Sequence, residues 1–111
     1  MQWERAAPAQ EVGRVLHRYE VRGQPVLLGR TAAGDAIAVG PICPHQGLPM
    51  DGGNLFGDEI DCPHHHYTYD AHTGENRYPK RVFPRARAEQ VHDIQAYATK
   101  EEDGWVWVRL G

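Results

Sequence analysis

Cys43-Pro44-His45-Gln46-Gly47 and Cys62-Pro63-His64-His65-His66 are the two passages around which the chain is organised. Both cysteines of the protein and four of its seven histidines fall in them. The spacing is Cys-x-His, sixteen residues, Cys-x-x-His. Two soft thiolates and two imidazoles, offered from two short loops, are the donor set of a metal centre. Thiolates favour zinc, copper(I) or iron–sulfur clusters, while imidazole suits zinc and iron.

The surrounding sequence limits what such a centre can serve. At 111 residues the chain is long enough for one domain with one modest core and too short for two. Hydrophobic residues make up 41%, an ordinary globular share. A formal charge of −3 argues against a nucleic-acid binder, which usually carries a basic excess. The start, Met1-Gln2-Trp3-Glu4-Arg5, lacks the apolar core of a signal peptide, and no stretch approaches the roughly 20 apolar residues of a membrane helix. The expectation is a cytoplasmic protein without membrane or nucleic-acid partners. Two cysteines used as ligands leave no disulfide, which suits a reducing compartment.

Upstream of the metal stretch the pattern is that of strands. Val15 to Val21 alternates, with Val15, Tyr19 and Val21 on one face, as a half-buried strand does. Arg22-Gly23-Gln24 turns, Val26-Leu27-Leu28 reads as a buried strand, Ala33-Gly34-Asp35 turns again, and Ala36 to Val39 is a third strand. Trp3 is expected to anchor on the core edge, with a loop around Pro8. Within the metal stretch only Glu59-Ile60-Asp61 reads as strand, followed by Tyr67-Thr68-Tyr69 up to His72-Thr73-Gly74. Arg77 to Arg87, with Pro79 and Pro84, reads as an irregular loop, and Ala86 to Val91 as a helical turn. The end is a hairpin: Ile94 to Thr99 alternates, Glu102-Asp103-Gly104 turns, and Val106, Val108 and Leu110 alternate with Trp105, Trp107 and Arg109. This rhythm predicts an all-β fold, a small antiparallel sandwich or barrel, carrying a subdomain of two metal-binding loops.

For the metal itself two readings fit the residues. A closed zinc site would take four tetrahedral ligands, Cys2His2, and would make the chain an interaction module. Against it, each loop supplies one Cys and one His, and no helix carries histidines at i and i+3 or i+4. The other reading is a 2Fe-2S cluster in which two histidines replace two cysteines on one iron.

Here a family resemblance enters. Cys43-Pro44-His45-Gln46-Gly47 and Cys62-Pro63-His64-His65-His66-Tyr67-Thr68-Tyr69-Asp70, followed by Thr73-Gly74, resemble the two cluster-binding boxes of Rieske proteins, most of all the small soluble Rieske ferredoxins of bacterial oxygenase systems. The resemblance covers nearly the whole chain. It implies a single Rieske domain over residues 1–111, with the cluster-binding part at about 41–84. It implies one 2Fe-2S cluster, with Cys43 and Cys62 on the inner iron and His45 and His65 on the outer. Register favours His65 over His64 as ligand, and leaves His64 and His66 as flanking polar residues. His66 stands where many relatives have Gly. The implied function is one-electron transfer from a flavin-dependent reductase to a terminal oxygenase, with no catalysis by the chain alone. A Rieske-like small subunit of a larger reductase, such as those accompanying nitrite reductases, is the alternative.

Two departures from the respiratory Rieske proteins matter. Their extra cysteine in each box is absent, and His66 and Tyr67 stand where they place a serine. Fewer hydrogen bonds to the cluster imply a potential at the low end of the Rieske range. Among the remaining residues, His17, His72 and His92 read as ordinary surface or satisfied residues. Leu48, Pro49 and Met50 read as a shield for the cluster or as loop packing. Tyr67, Tyr69 and Tyr78 read as anchors. Asp51, Asp58, Glu59 and Asp61 form an acidic run, a solvated face or a steering patch. Arg77, Lys80, Arg81, Arg85 and Arg87 are its basic counterpart, balancing it or docking a partner.

Overall fold

The computed structural model describes residues 3–43, 48–63, 67–78 and 92–110. Among them the only helical element is one 3-10 turn, Ala9–Glu11. None is a helix long and apolar enough to cross a membrane. Among the described residues twelve strands build three antiparallel sheets. The largest comprises β1 (Trp3–Pro8), β2 (His17–Val21), β3 (Gln24–Arg30), β4 (Ala36–Val39), β11 (Ala96–Glu102) and β12 (Trp105–Arg109), in the order β1-β12-β11-β4-β3-β2. Its two ends approach each other through β1 and β2, so the sheet curls into a nearly closed barrel. The second sheet, β10-β9-β8-β7, uses Asn76–Tyr78, Thr68–Asp70, Glu59–Asp61 and Asn54–Phe56. The third is the small hairpin of β5 (Ile42–Cys43) and β6 (Leu48–Pro49).

The large hairpins follow from their turn chemistry. Arg22-Gly23 and Asp103-Gly104 both have positive φ at each residue, 53° and 76°, then 55° and 80°. Two-residue turns of this hand match the right-handed twist of the flanking strands, and Gly or Asp adopts them at little cost.

Side-chain alternation sorts residues between two cores. Val26, Leu28, Ala36, Ala38, Val106 and Val108 point into the curl of the large sheet, together with Ala7 and Val21. Leu27, Ile37 and Val39 point the other way and pack with Met50, Leu55, Ile60, Cys62 and Tyr69 of the smaller sheets. β3 and β4 are therefore buried on both faces, which explains their unbroken apolar runs. The second sheet and the small hairpin form the subdomain expected at the metal stretch, laid on the outer face of β3 and β4.

The structure corrects several sequence expectations. Pro8 ends a strand and is not in a loop; β1 pairs with β12 through a register shift between Arg5 and Ala7. That bulge breaks the alternation that would have betrayed the strand. Val15 is 36% exposed, whereas Leu16 is fully buried. The chain bends at Arg14 before β2 begins, so Val15 is out of phase with Tyr19 and Val21. Leu16 instead exchanges backbone bonds with the subdomain, donating to Gly53 (2.8 Å) and accepting from Gly52 (2.9 Å). β5, β6 and β7 add strands to a stretch read as mostly loop, and Arg77 and Tyr78 belong to β10. The expected helical turn at 86–91 and the rest of the loop after Tyr78 up to Arg87 lie outside the described residues.

Candidate metal centre

The two cysteines occupy equivalent places at the mouths of two hairpins. Cys43 is the last residue of β5 and pairs with Leu48 across the four-residue connection 44–47. Cys62 follows β8, whose last residue Asp61 pairs with Thr68 of β9. The Cys62 N–H donates to the Tyr67 carbonyl at 2.8 Å and extends that hairpin by one rung. The Cys62 side chain is fully buried. His45, His64, His65 and His66 lie outside the described residues, so the structure places the two cysteines and not the histidines.

Both hairpins stand on one foundation. Met50, directly after β6, donates its N–H to the Pro41 carbonyl (2.8 Å) and closes the base of the first hairpin. Its side chain is fully buried in the same core as Cys62, Ile60 and Tyr69. Pro49 is exposed, so of the three expected shield residues Met50 is the one seen in the core, and the side chain of Leu48 lies outside what is described. Tyr69 is a core residue, while Tyr67 is half-buried and meets the exposed Tyr78 edge-on, with centroids 6.4 Å apart. A buried thiolate behind an apolar floor is the setting in which a soft cationic centre binds and water is kept away. Such a cysteine at Cys62, a second at Cys43 and histidines in the adjoining connections are a donor set that suits an iron–sulfur cluster with mixed ligands.

Arg77 holds the sheet that carries Cys62. Its guanidinium donates to Glu59 Oε2 (2.9 Å), to Asp58 Oδ1 (3.1 Å) and to Asp70 Oδ2, tying together the β7–β8 turn, β8 and β9. The acidic run is thus largely an internal network. Asp51 likewise meets Arg18 through two bonds of 2.9 and 2.8 Å. The basic counterpart balances the acids in the one member described, Arg77; Lys80, Arg81, Arg85 and Arg87 lie outside the described residues. The bonds to Glu59 and Asp58 hold the Arg77 guanidinium well above its usual pKa. Burial pushes the Asp70 carboxyl up, but the Thr73 and His72 backbone N–H groups, at 2.9 and 2.8 Å, and Arg77 outweigh it and leave it below its usual value.

These contacts yield a prediction. Arg77→Ala should lower unfolding stability at neutral pH by about 1–2 kcal/mol, the scale of a partly shielded charge-assisted network. A carboxyl with a depressed folded pKa adds stability that is full above its unfolded value near 3.9 and is lost as pH falls through the lower folded value. The variant should therefore lose less stability on acidification than the wild type. Urea unfolding between pH 3 and 7 checks it; identical pH profiles would count against the network.

Sequence reading named Arg77 only as one cation among five. Asp93, whose carboxylate accepts the Asn76 N–H (2.8 Å), and the backbone bond from Ile94 N–H to the Gly74 carbonyl (2.9 Å) gave no signal at all. These bonds join the cluster-side sheet to the segment leading into β11. His17, His72 and His92 are exposed, as expected.

Comparison with known proteins agrees with this geometry. The family model for the Rieske 2Fe-2S domain matches residues 2–94. The chain is 31% identical over 91 residues to Oxidoreductase NdmD of Pseudomonas putida, covering 80% of this chain and 15% of that protein. It is 30% identical over 95 residues to aminopyrrolnitrin oxygenase PrnD of Pseudomonas fluorescens, covering 80% and 25%. It thus spans a quarter or less of these two relatives. Among solved structures, the ferredoxin of carbazole 1,9a-dioxygenase from Nocardioides aromaticivorans IC177 superposes with a TM-score of 0.76 at 22% identity, over 97% of each chain. Dicamba monooxygenase with non-heme iron and dicamba superposes at 0.80 and 24% identity, over 96% of this chain and 32% of that one.

Proposed function

The chain belongs to the Rieske 2Fe-2S domain family and takes a Rieske-type 2Fe-2S cluster, and from this premise we propose that it is a one-electron carrier. It receives an electron from a flavin-dependent reductase and delivers it to a terminal oxygenase, without catalysing a reaction alone. The observation that carries this reading is the likeness to the ferredoxin over 97% of both chains. The oxygenase and oxidoreductase relatives point to the same kind of redox system. A second reading, a Rieske domain working within a larger oxygenase assembly, draws on the 32% of dicamba monooxygenase that the chain covers.

We assign Cys43 and Cys62 to the inner iron and His45 and His65 to the outer, within one domain over residues 1–111. The bound cluster supplies a centre that accepts and releases single electrons. The protein's part is to hold it and to set its surroundings. Cys62 donates its thiolate from an interior sealed by Met50, Ile60 and Tyr69. The imidazoles are neutral ligands, so this donor set is less negative than four thiolates and favours reduction relative to them. With both cysteines engaged as ligands, a reducing cytoplasm is the compartment this reading suits.

Electron flow is the direct test. The purified protein, added to a flavin-dependent ferredoxin reductase and a Rieske oxygenase, should support substrate turnover that neither enzyme achieves alone. Failure across several such pairs, with the cluster intact, would favour the second reading. The midpoint potential should lie near the low end of the Rieske range, about −150 mV. A redox titration followed by electron paramagnetic resonance checks it, and a midpoint well above zero rejects the low-potential assignment.

A further inference from the structure

The outer face of the large sheet has two halves. Over β3 and β4 the cluster-binding subdomain covers it. Over β1, β12 and β11 it carries a row of tryptophans and cations. Cross-strand register sets the row: Trp3 lies opposite Arg109, and Arg5 opposite Trp107, which also faces Lys100. Trp3, Trp105 and Trp107 are all half-buried. The Arg5 guanidinium lies 4.5 Å from the Trp105 ring centroid, and that of Arg109 lies 5.4 Å from Trp3. The Lys100 ammonium sits between Trp3 and Trp107, at 5.0 and 5.5 Å.

The charges of this face are not internally matched. Lys100 pairs with Glu102 at 3.2 Å. Among the described residues neither Arg5 nor Arg109 meets a carboxylate; each has only its ring. The nearby acids turn elsewhere, Glu4 to Arg22 and Glu101 to Arg30. Among the described residues, three cations against one carboxylate make this a positive area on a chain of net charge −3. A guanidinium stacked on an aromatic ring uses its flat face, and its N–H edges remain able to take a carboxylate in bidentate fashion. Stacking also limits the rotamers of the cation and the ring, so less ordering is left for binding. Trp and Arg are the residues most enriched among the dominant contacts of protein interfaces.

We propose that this Trp–Arg face of β1, β12 and β11 is a docking surface for an acidic segment of a protein partner. The carboxylates of that segment meet Arg5 and Arg109, and its apolar groups lie on the tryptophan rings. The surface lies on strands of the large sheet, whereas the cysteines belong to the hairpins of the two smaller sheets.

The test uses the cluster-loaded full chain and a short Glu/Asp-rich peptide with interspersed Tyr and Leu. Tryptophan fluorescence and the indole N–H signals of an isotope-labelled sample report binding, and the visible spectrum of the cluster stays unchanged. Affinity should fall about tenfold in Arg5→Gln/Arg109→Gln, the scale of removing charge contacts at an interface. It should be partly kept in Arg5→Lys/Arg109→Lys and unchanged in Arg22→Gln, an exposed cation off this face. Several results overturn the proposal: no indole response to the peptide, equal weakening by Arg22→Gln, or full affinity in the double glutamine variant. A DNA duplex of matched charge that binds as well as the peptide also overturns it, because the site would then read polyanions rather than an acidic protein segment.

Discussion

Cys62→Ser should abolish both the visible absorption of the cluster and its Rieske electron paramagnetic resonance signal. Serine is nearly isosteric, so the effect isolates the donor atom. A thiolate forms at modest cost and binds soft metal centres strongly, whereas a hydroxyl stays protonated and is a hard, weak donor. Cys62 is fully buried in one core with Met50, Ile60 and Tyr69. Burying a hydroxyl in place of a thiol also carries a desolvation cost, about 1–3 kcal/mol where no hydrogen bond compensates it. Cys62→Ala separates the two effects: it should lose the cluster equally and retain apolar packing. If ligation follows the assigned register, His65→Ala also loses the Rieske signal, and His64→Ala keeps it. Iron and sulfide content, with spectra at each substitution, decides the matter. An intact Rieske signal in Cys62→Ser would rule out the ligand assignment.

The same residue shows how far the sequence carries. The donor types and their spacing are local facts, so Cys43 and Cys62 could be named without a structure. The hairpin β11–β12 was equally legible, because alternation from Ile94 to Thr99 and from Trp105 to Leu110 flanks the Asp103-Gly104 turn. β1 was not. Its register shift between Arg5 and Ala7 spoils the two-residue period, and Pro8 looks like a loop residue although it closes the strand. Val15 departs from the face of Tyr19 and Val21 because a bend at Arg14 resets the phase, and no residue type announces that bend. The strands Asn54–Phe56 and Asn76–Tyr78 are each three residues long, the first between Gly53 and Gly57 and the second ending before Pro79, so they read as loop.

What supports the site was harder still, for a physical reason. Arg77 looks like any member of a basic run until β10 brings it beside Asp58, Glu59 and Asp70. The tryptophan row exists only once three strands are in register. Such features belong to pairs of residues far apart in the chain. Sequence lists the members of those pairs but not their pairing.

Gly74→Ala should be the most disruptive substitution outside the ligands. Gly74 is buried, with φ +80°, and a Cβ there would lie 2.1 Å from the Ile94 carbonyl oxygen and 3.1 Å from its carbon. Those are backbone atoms, so no side-chain rotation relieves the contact. The two residues are also hydrogen-bonded to each other: the Ile94 N–H donates to the Gly74 carbonyl, and the Gly74 N–H in turn donates to the Asp70 carbonyl, each at 2.9 Å. Making room for the methyl therefore breaks the seam between the cysteine-bearing sheet and the large sheet. The left-handed conformation alone costs alanine about 1–2 kcal/mol. A forced contact in a packed interior adds about 1–3 kcal/mol. A total near 3 kcal/mol lowers the melting temperature by about 10–20 °C in a domain of this size. Gly34→Ala supplies the control, since Gly34 has φ +97° and open space around it, and should show the conformational cost only. Because the strain falls on the turn beyond β9, cluster bleaching should precede loss of the large sheet on heating. Absorbance and circular dichroism recorded together would show it. A Gly74→Ala protein that melts like Gly34→Ala would mean the turn can move away from Ile94, and that the seam does not hold the cysteine hairpin in place.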